Sequence, residues 1–209
     1  MKNVLCIGAL LLLAASCRNK NPSAADAGAP SVGTASPDVT DSVQKSYFPV
    51  ADYLRNEIRT VDSTPIAILK YTTRNNRTDS AFISAPVFDQ LAQEFLAPEL
   101  DSPAFEKRFS ETSFADRTTN SVTFTYSSLK NEQPVQRVDI LLDPEANNRL
   151  KSIYMEKSFS AGDTLVTKKM LWKAGRNFLI ITTQQLPGQA ALVRQLKVVW
   201  DSDPSGVSQ

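Results

Sequence analysis

The sequence predicts an α+β fold in which N-terminal helices and one hairpin pack on a curved, mainly antiparallel β-meander of about six C-terminal strands. Three observations carry this. Apolar residues recur at helical spacing in the N-terminal half and alternate with polar ones after Phe114. Turn signals break the alternating part at short intervals: Asp143-Pro144, Ala161-Gly162-Asp163, Ala174-Gly175 and Pro187-Gly188. Runs that close together leave no room for crossover helices, so consecutive strands must be joined as antiparallel hairpins.

Taken in order, Val50, Tyr53, Leu54, Ile58 and Val61 follow Pro49 at helical spacing and predict an amphipathic helix. Ile66 to Thr73 and Thr78 to Ser84 flank Arg74-Asn75-Asn76-Arg77 and read as a hairpin. Ser84 is placed to cap a second helix with Pro86 in its first turn; Val87, Phe88, Leu91, Ala92, Phe95 and Leu96 form its apolar face, and Pro98 stops it. A short third helix begins at Ser102-Pro103 and buries Phe105 and Phe109, one turn apart. The six strands are centred on Val122–Tyr126 and Val138–Leu142, then span Arg149–Lys157, Thr164–Lys173, Asn177–Leu186 and Ala190–Trp200. Phe88, Phe95, Phe124 and Tyr126 are bulky and stand on apposed faces, which predicts a filled core with no large internal void.

The first residues have the layout of a secretory signal. Lys2 precedes a twelve-residue apolar run, Val4 to Ala15, which is too short to span a bilayer at about 20 residues. It ends in Ala14-Ala15-Ser16 directly before Cys17. This ending resembles the lipobox of bacterial lipoproteins, although Ala14 stands where Leu is commonest. The resemblance implies cleavage between Ser16 and Cys17 and a diacylglycerol on the Cys17 thiol. One acyl chain holds a protein to a bilayer only marginally, whereas two or three make the attachment stable. The resulting organisation is a signal (residues 1–16), a lipidated cysteine and tether (17–46), one folded periplasmic domain (47–201) and a short flexible tail (202–209).

The tether is rich in Ala, Ser, Pro, Gly, Thr and Asp and cannot bury enough apolar surface to offset its conformational entropy. As a coil of about 29 residues it spans roughly 30 Å. Arg18-Asn19-Lys20 holds no acid. By resemblance to lipoprotein sorting signals, that implies neither surface export nor inner-membrane retention, hence an outer-membrane anchor facing the periplasm.

Composition narrows the chemistry. The chain has 23 basic and 22 acidic side chains, and loss of the signal removes Lys2 alone, so the mature formal charge is zero. No nucleic-acid partner is expected of a neutral chain. There is no histidine, and Cys6 and Cys17 are both spent in the N-terminal segment. Ser-His-Asp and Cys-His catalysis, His-containing zinc sites and disulfides therefore drop out, and neither cofactor nor metal is expected.

Several local patterns have plainer readings. Ser127-Ser128-Leu129-Lys130 and Ser42-Val43-Gln44-Lys45 match Ser-x-x-Lys, but the first ends a strand and the second lies in the tether, whereas the catalytic motif opens a helix. Asp143, Glu145 and Asn147 alternate as in a calcium loop, but Asn148 replaces the glycine and Tyr154 the final glutamate, so an acidic hairpin turn is the better account. Lys168, Lys169, Lys173 and Arg176 read as a solvated strand edge. Trp172 and Trp200 read as core ahead of a ligand groove. Glu111, Asp116 and Asp139 are the candidate acids for a carboxylate hydrolase, which needs two at a fixed separation. Asp41-Ser42-Val43, Asp62-Ser63-Thr64, Asp79-Ser80-Ala81 and Asp163-Thr164-Leu165 resemble a bacterial O-glycosylation sequon, with Ser42 in the tether the accessible one.

The element order and anchor also have a general resemblance to half-barrel periplasmic lipoprotein carriers, and the whole chain resembles uncharacterised outer-membrane lipoproteins. The expectation is a non-enzymatic envelope lipoprotein that docks a partner protein or cell-wall component. The alternative is a carrier of a hydrophobic acyl-chain ligand between sheet and helices.

Overall fold

The computed structural model describes residues 47–101, 103–130 and 132–200. Helix α1 (Val50–Ser63) buries Val50, Ala51, Leu54, Ile58 and Val61 along one stripe, as their three- and four-residue spacing requires. The hairpin β1 (Ile68–Arg74) and β2 (Arg77–Ile83) follows. Its two-residue turn holds Asn75 at φ 50° and Asn76 at φ 58°. Two consecutive positive φ angles match the twist of antiparallel strands, and asparagine tolerates them better than most side chains.

Helix α2 (Ala85–Ala92) has Pro86 in its first turn, as expected, but the Ser84 hydroxyl does not cap it. Instead the Ser84 carbonyl accepts the Val87 and Phe88 N–H groups at 3.1 and 3.0 Å. The chain tightens into 3-10 turns at Gln93–Phe95 and Pro98–Leu100 before α3 (Ala104–Arg108).

Seven strands complete the chain: β3 (Phe109–Asp116), β4 (Ser121–Ser128), β5 (Val135–Asp143), β6 (Arg149–Ala161), β7 (Thr164–Lys173), β8 (Asn177–Gln185) and β9 (Leu192–Val199). The result is a mostly antiparallel sheet with few helices. Its order is β2-β1-β9-β8-β7-β6-β5-β4-β3, nine strands among the described residues.

Two further details, both in the sheet, differ from expectation. The meander has seven strands, because β3 was hidden. Phe105 and Phe109 are four residues apart and mimic a helical face, yet α3 ends at Arg108 and Phe109 opens the strand. Both rings are buried, 4.7 Å apart across the junction. The hairpin, for its part, is not a separate layer on the meander. Strand β1 pairs antiparallel with β9, from Leu69 opposite Val199 to Arg74 opposite Arg194, so the hairpin extends the same sheet.

The sheet has an inner face that joins the helices in one core, and an outer face. Period-two alternation assigns them strand by strand. Cross-strand register aligns Ile153, Trp172, Phe178 and Val198 in one inner row and Met155, Met170, Ile180 and Leu196 in the next. Over them lie Phe88 and Phe95 from the α2 segment. Phe88 meets Trp200 at 5.0 Å and Phe95 meets Trp172 at 5.2 Å, both edge to face. All five aromatic side chains of this cluster (Phe88, Phe95, Trp172, Phe178, Trp200) are buried. Edge-to-face contacts of this kind add to what burial alone contributes.

Candidate binding groove

The α2 segment covers only part of the inner face. Past Phe95 the chain runs on through Leu96–Pro98, with Ala97 still buried, and a groove of about 580 Å³ lies between this stretch and the β6–β7 hairpin. Gln90, Gln93, Glu94, Leu96, Ala97, Pro98 and Glu99 form one wall. Lys157, Phe159 and Lys168 rise from the sheet, and Pro134 completes the lining.

Two lysines give the groove its chemistry. Lys157 and Lys168 face each other across β6 and β7. The Lys168 ammonium pairs with the Glu94 carboxylate at 2.7 Å and lies 5.9 Å from the centre of the Phe159 ring. The Lys157 ammonium donates instead to the backbone carbonyl of Glu94. Burial pulls the Lys157 pKa down, because its charged form loses water, while the Glu94 carboxylate partly restores it. A half-buried ammonium held by a neutral carbonyl, with apolar side chains around it, can take a further hydrogen-bond acceptor.

The aromatic end is closed by a polar latch. Glu57 on α1 accepts the Trp172 indole N–H at 3.3 Å and the Gly175 backbone N–H at 2.7 Å with the same carboxylate oxygen. Gly175 sits at φ 67°, a turn conformation that suits glycine. On the far side of the core, the Phe48 backbone N–H donates to the Tyr126 hydroxyl at 3.1 Å, and burial raises the Tyr126 pKa to about 12. These are structural hydrogen bonds, already satisfied.

The residues singled out from sequence are dispersed. Glu111 on β3 stands opposite Tyr126, whereas Asp139 on β5 stands opposite Thr125, so the two carboxylates point to opposite faces. Asp139 is bound by Arg137 at 2.8 Å. Asp116 terminates β3 and accepts the Thr118 N–H and the Thr119 hydroxyl, both at 2.8 Å, with the Thr119 bond foremost in holding its pKa low. The three acids are not brought together. Asp143 serves its own turn, accepting the Ala146 N–H and pairing with Lys151 at 3.5 Å. Ser127 is exposed on β4, and Lys130 follows the strand end. Trp172 and Trp200 are core.

The basic run on β7 is not a strand edge. Strand β7 pairs with both β6 and β8, and the sheet edges are β2 and β3. Of the run's residues, Lys168 turns inward to the groove and Lys169 and Lys173 lie exposed on the outer face. Among the sequon-like sites, Ser63 and Ser80 are exposed and Thr164 is half-buried. Ser16, Cys17 and Ser42 lie outside the described residues. No helix among the described residues is long and apolar enough to cross a membrane. No family model matches the sequence, and no curated protein or solved structure matches it.

Proposed function

We propose that this chain is an envelope lipoprotein, held to the periplasmic side of the outer membrane through Cys17, whose folded part is a non-catalytic module that docks another envelope protein. The short apolar run ending in Ala14-Ala15-Ser16-Cys17 supports the anchor. The observation that carries the docking reading is the contrast on one sheet face. The aromatic core is filled, yet the adjoining groove is left open with Lys157 half-buried in it.

Placing a photo-crosslinking phenylalanine analogue at Phe159 tests it in cells. The expected result is one discrete adduct with another envelope protein, and none from the same probe at Lys169 on the outer face. Absence of any Phe159 adduct would sink the docking reading. The anchor is tested separately by labelling with a clickable fatty acid, which Cys17→Ala should abolish.

A second reading, a carrier for an acyl chain, is favoured by one feature. The groove is walled from both helix and sheet by Leu96, Ala97, Pro98, Pro134 and Phe159, and its volume falls within the usual range for small ligands, about 300–1,000 Å³. Saturable, one-to-one, micromolar binding of a fluorescent fatty acid, lost in Ala97→Trp, would favour the carrier.

A further inference from the structure

The groove is one end of a longer feature. Following the register outward from Lys157, the inner-face partners are Lys168 on β7, Thr182 on β8, Arg194 on β9, Arg74 on β1 and Arg77 on β2. Five of these six positions are cations. Six strands at roughly 4.8 Å spacing put them along a line of about 24 Å. The charges come from five different strands, and apart from Arg74 and Arg77, which flank one turn, the linear sequence does not set them side by side.

The row is poorly balanced. Glu94 is taken by Lys168, Glu99 lies at the groove wall, and Asp79 sits two residues from Arg77 on the same face. Arg194, Arg74 and Arg77 are exposed and make no ion pair among the described residues. Like charges directly opposite on neighbouring strands repel. Arg194 faces Arg74, and Arg74 faces Arg77. A sheet whose inner face served packing alone would have no reason to hold them there.

A second row runs beside the first. Phe159, Val166, Gln184 and Leu192 align on the same face, three of them apolar; Val166 is buried beneath the stripe, while Phe159 is open to solvent and Leu192 half-buried. We propose that the cationic row and this apolar stripe together form a docking track for an acidic segment of a partner protein, one that carries aliphatic side chains among its carboxylates and lies across the strands. The inference rests on the docking reading above and deepens it.

The pattern distinguishes this occupant from others. A lipid concentrates its charge in one headgroup, which Lys157 and Lys168 could hold, leaving the three arginines without a counterpart. An anionic polysaccharide offers no aliphatic side chain to fill the space beside Phe159 and Leu192. A polypeptide supplies carboxylates and aliphatic groups along its whole length, and complementary charge of this kind sets both encounter rate and register.

The full-length protein in detergent can be titrated with a fluorescein-labelled peptide of repeating Glu-Leu-Glu-Ala. At about 16 residues the peptide covers the row even when helical, at 1.5 Å per residue. The expected result is saturable one-to-one binding, weakened at least about tenfold in Arg74→Glu/Arg194→Glu, unchanged in Lys169→Glu/Lys173→Glu on the outer face, and weakened by salt. Superimposable thermal melts of the variants exclude misfolding. Equal binding of the same peptide with Gln for Glu, tighter binding of phosphatidylglycerol vesicles or polygalacturonate, or insensitivity to the arginine changes would each overturn the proposal. If the Phe159 adduct in cells survives Arg74→Glu/Arg194→Glu, the docking reading stands and the acidic-segment track is refuted.

Discussion

The two ends of the inner face are built on the same strands and differ in almost everything else. Four residues separate Trp172 from Lys168 on β7, Phe178 from Thr182 on β8, and Val198 from Arg194 on β9, a step of roughly 13 Å. At the first end the α2 segment lies on the sheet and its Phe88 and Phe95 complete an aromatic core. At the second end helix α2 has ended, Glu94 reaches the sheet lysines, and the same face carries lysine and arginine. The strand pattern decides which face a residue occupies. How far the helical segment reaches along that face decides whether the residue is core or surface.

The largest expected effect follows from the closed end. Trp172 is fully buried and touches Phe88, Phe95, Phe178 and Trp200. Trp172→Ala should lose about 3–5 kcal/mol of unfolding free energy, from lost contacts and the cavity left behind. Lys168→Ala, on the same strand and face, should cost under about 1 kcal/mol, since its ion pair is with a half-exposed carboxylate. Urea unfolding of both variants measures the contrast, and similar losses would erase the distinction between the two ends.

Next in size is the latch that holds α1 to the aromatic end. Glu57→Ala leaves the Trp172 indole N–H and the Gly175 N–H without their shared acceptor, and should cost about 1–3 kcal/mol. Glu57→Gln keeps an acceptor oxygen and should cost clearly less. Equal losses in the two variants would mean that the contribution comes from packing of the side-chain stem.

Much of the closed end was legible in the sequence. Alternation in Val122–Tyr126 and Val138–Leu142, and turns at Gly162 and Gly175, mark strands because side chains that alternate in burial must alternate in polarity. The apolar spacing of Val50, Leu54, Ile58 and Val61 marks α1 for the same reason. Strand β3 was not legible, since Phe109 serves both the helical spacing from Phe105 and the first inward position of a strand. The groove was less legible still. Arg74 and Arg77 flank a legible turn, but Lys157, Lys168 and Arg194 join them only through register, and pairing of β1 with the last strand is a long-range choice that no local pattern encodes. The run of Lys168, Lys169 and Lys173 is close in sequence, yet the alternation of a strand scatters it to two faces.

At the boundary between the two ends, Lys157 offers a pH test. Its folded pKa is lowered by burial, so the folded state binds that proton less tightly than the unfolded state does. Below the folded pKa both states carry the charge and the fold bears its desolvation. Between the folded and unfolded values only the unfolded chain holds the proton, so stability of the natural protein rises with pH. Lys157→Met should therefore be neutral to about 1 kcal/mol more stable at pH 7, with the advantage shrinking as pH climbs toward the ordinary lysine value near 10.5. Denaturation at a series of pH values checks it, and a difference that stays constant with pH would remove burial as the cause.

The smallest expected effect concerns the open end itself. Arg194 is exposed, has no ion-pair partner among the described residues, and faces Arg74, which in turn faces Arg77. Repulsion between directly opposed like charges costs a sheet about 0.2–1 kcal/mol per pair. Arg194→Glu replaces one repulsive pair by an attractive one, so it should raise stability by a few tenths to about 1 kcal/mol at low ionic strength. The gain should shrink in concentrated salt, where exposed charges are screened within about 3 Å at 1 M. A protein made more stable by losing a surface arginine holds that arginine at a cost to its own fold. Were Arg194→Glu destabilising at low salt, the cationic row would be contributing to the sheet after all, and the contrast between a packed end and a poised end would fail at its most exposed residue.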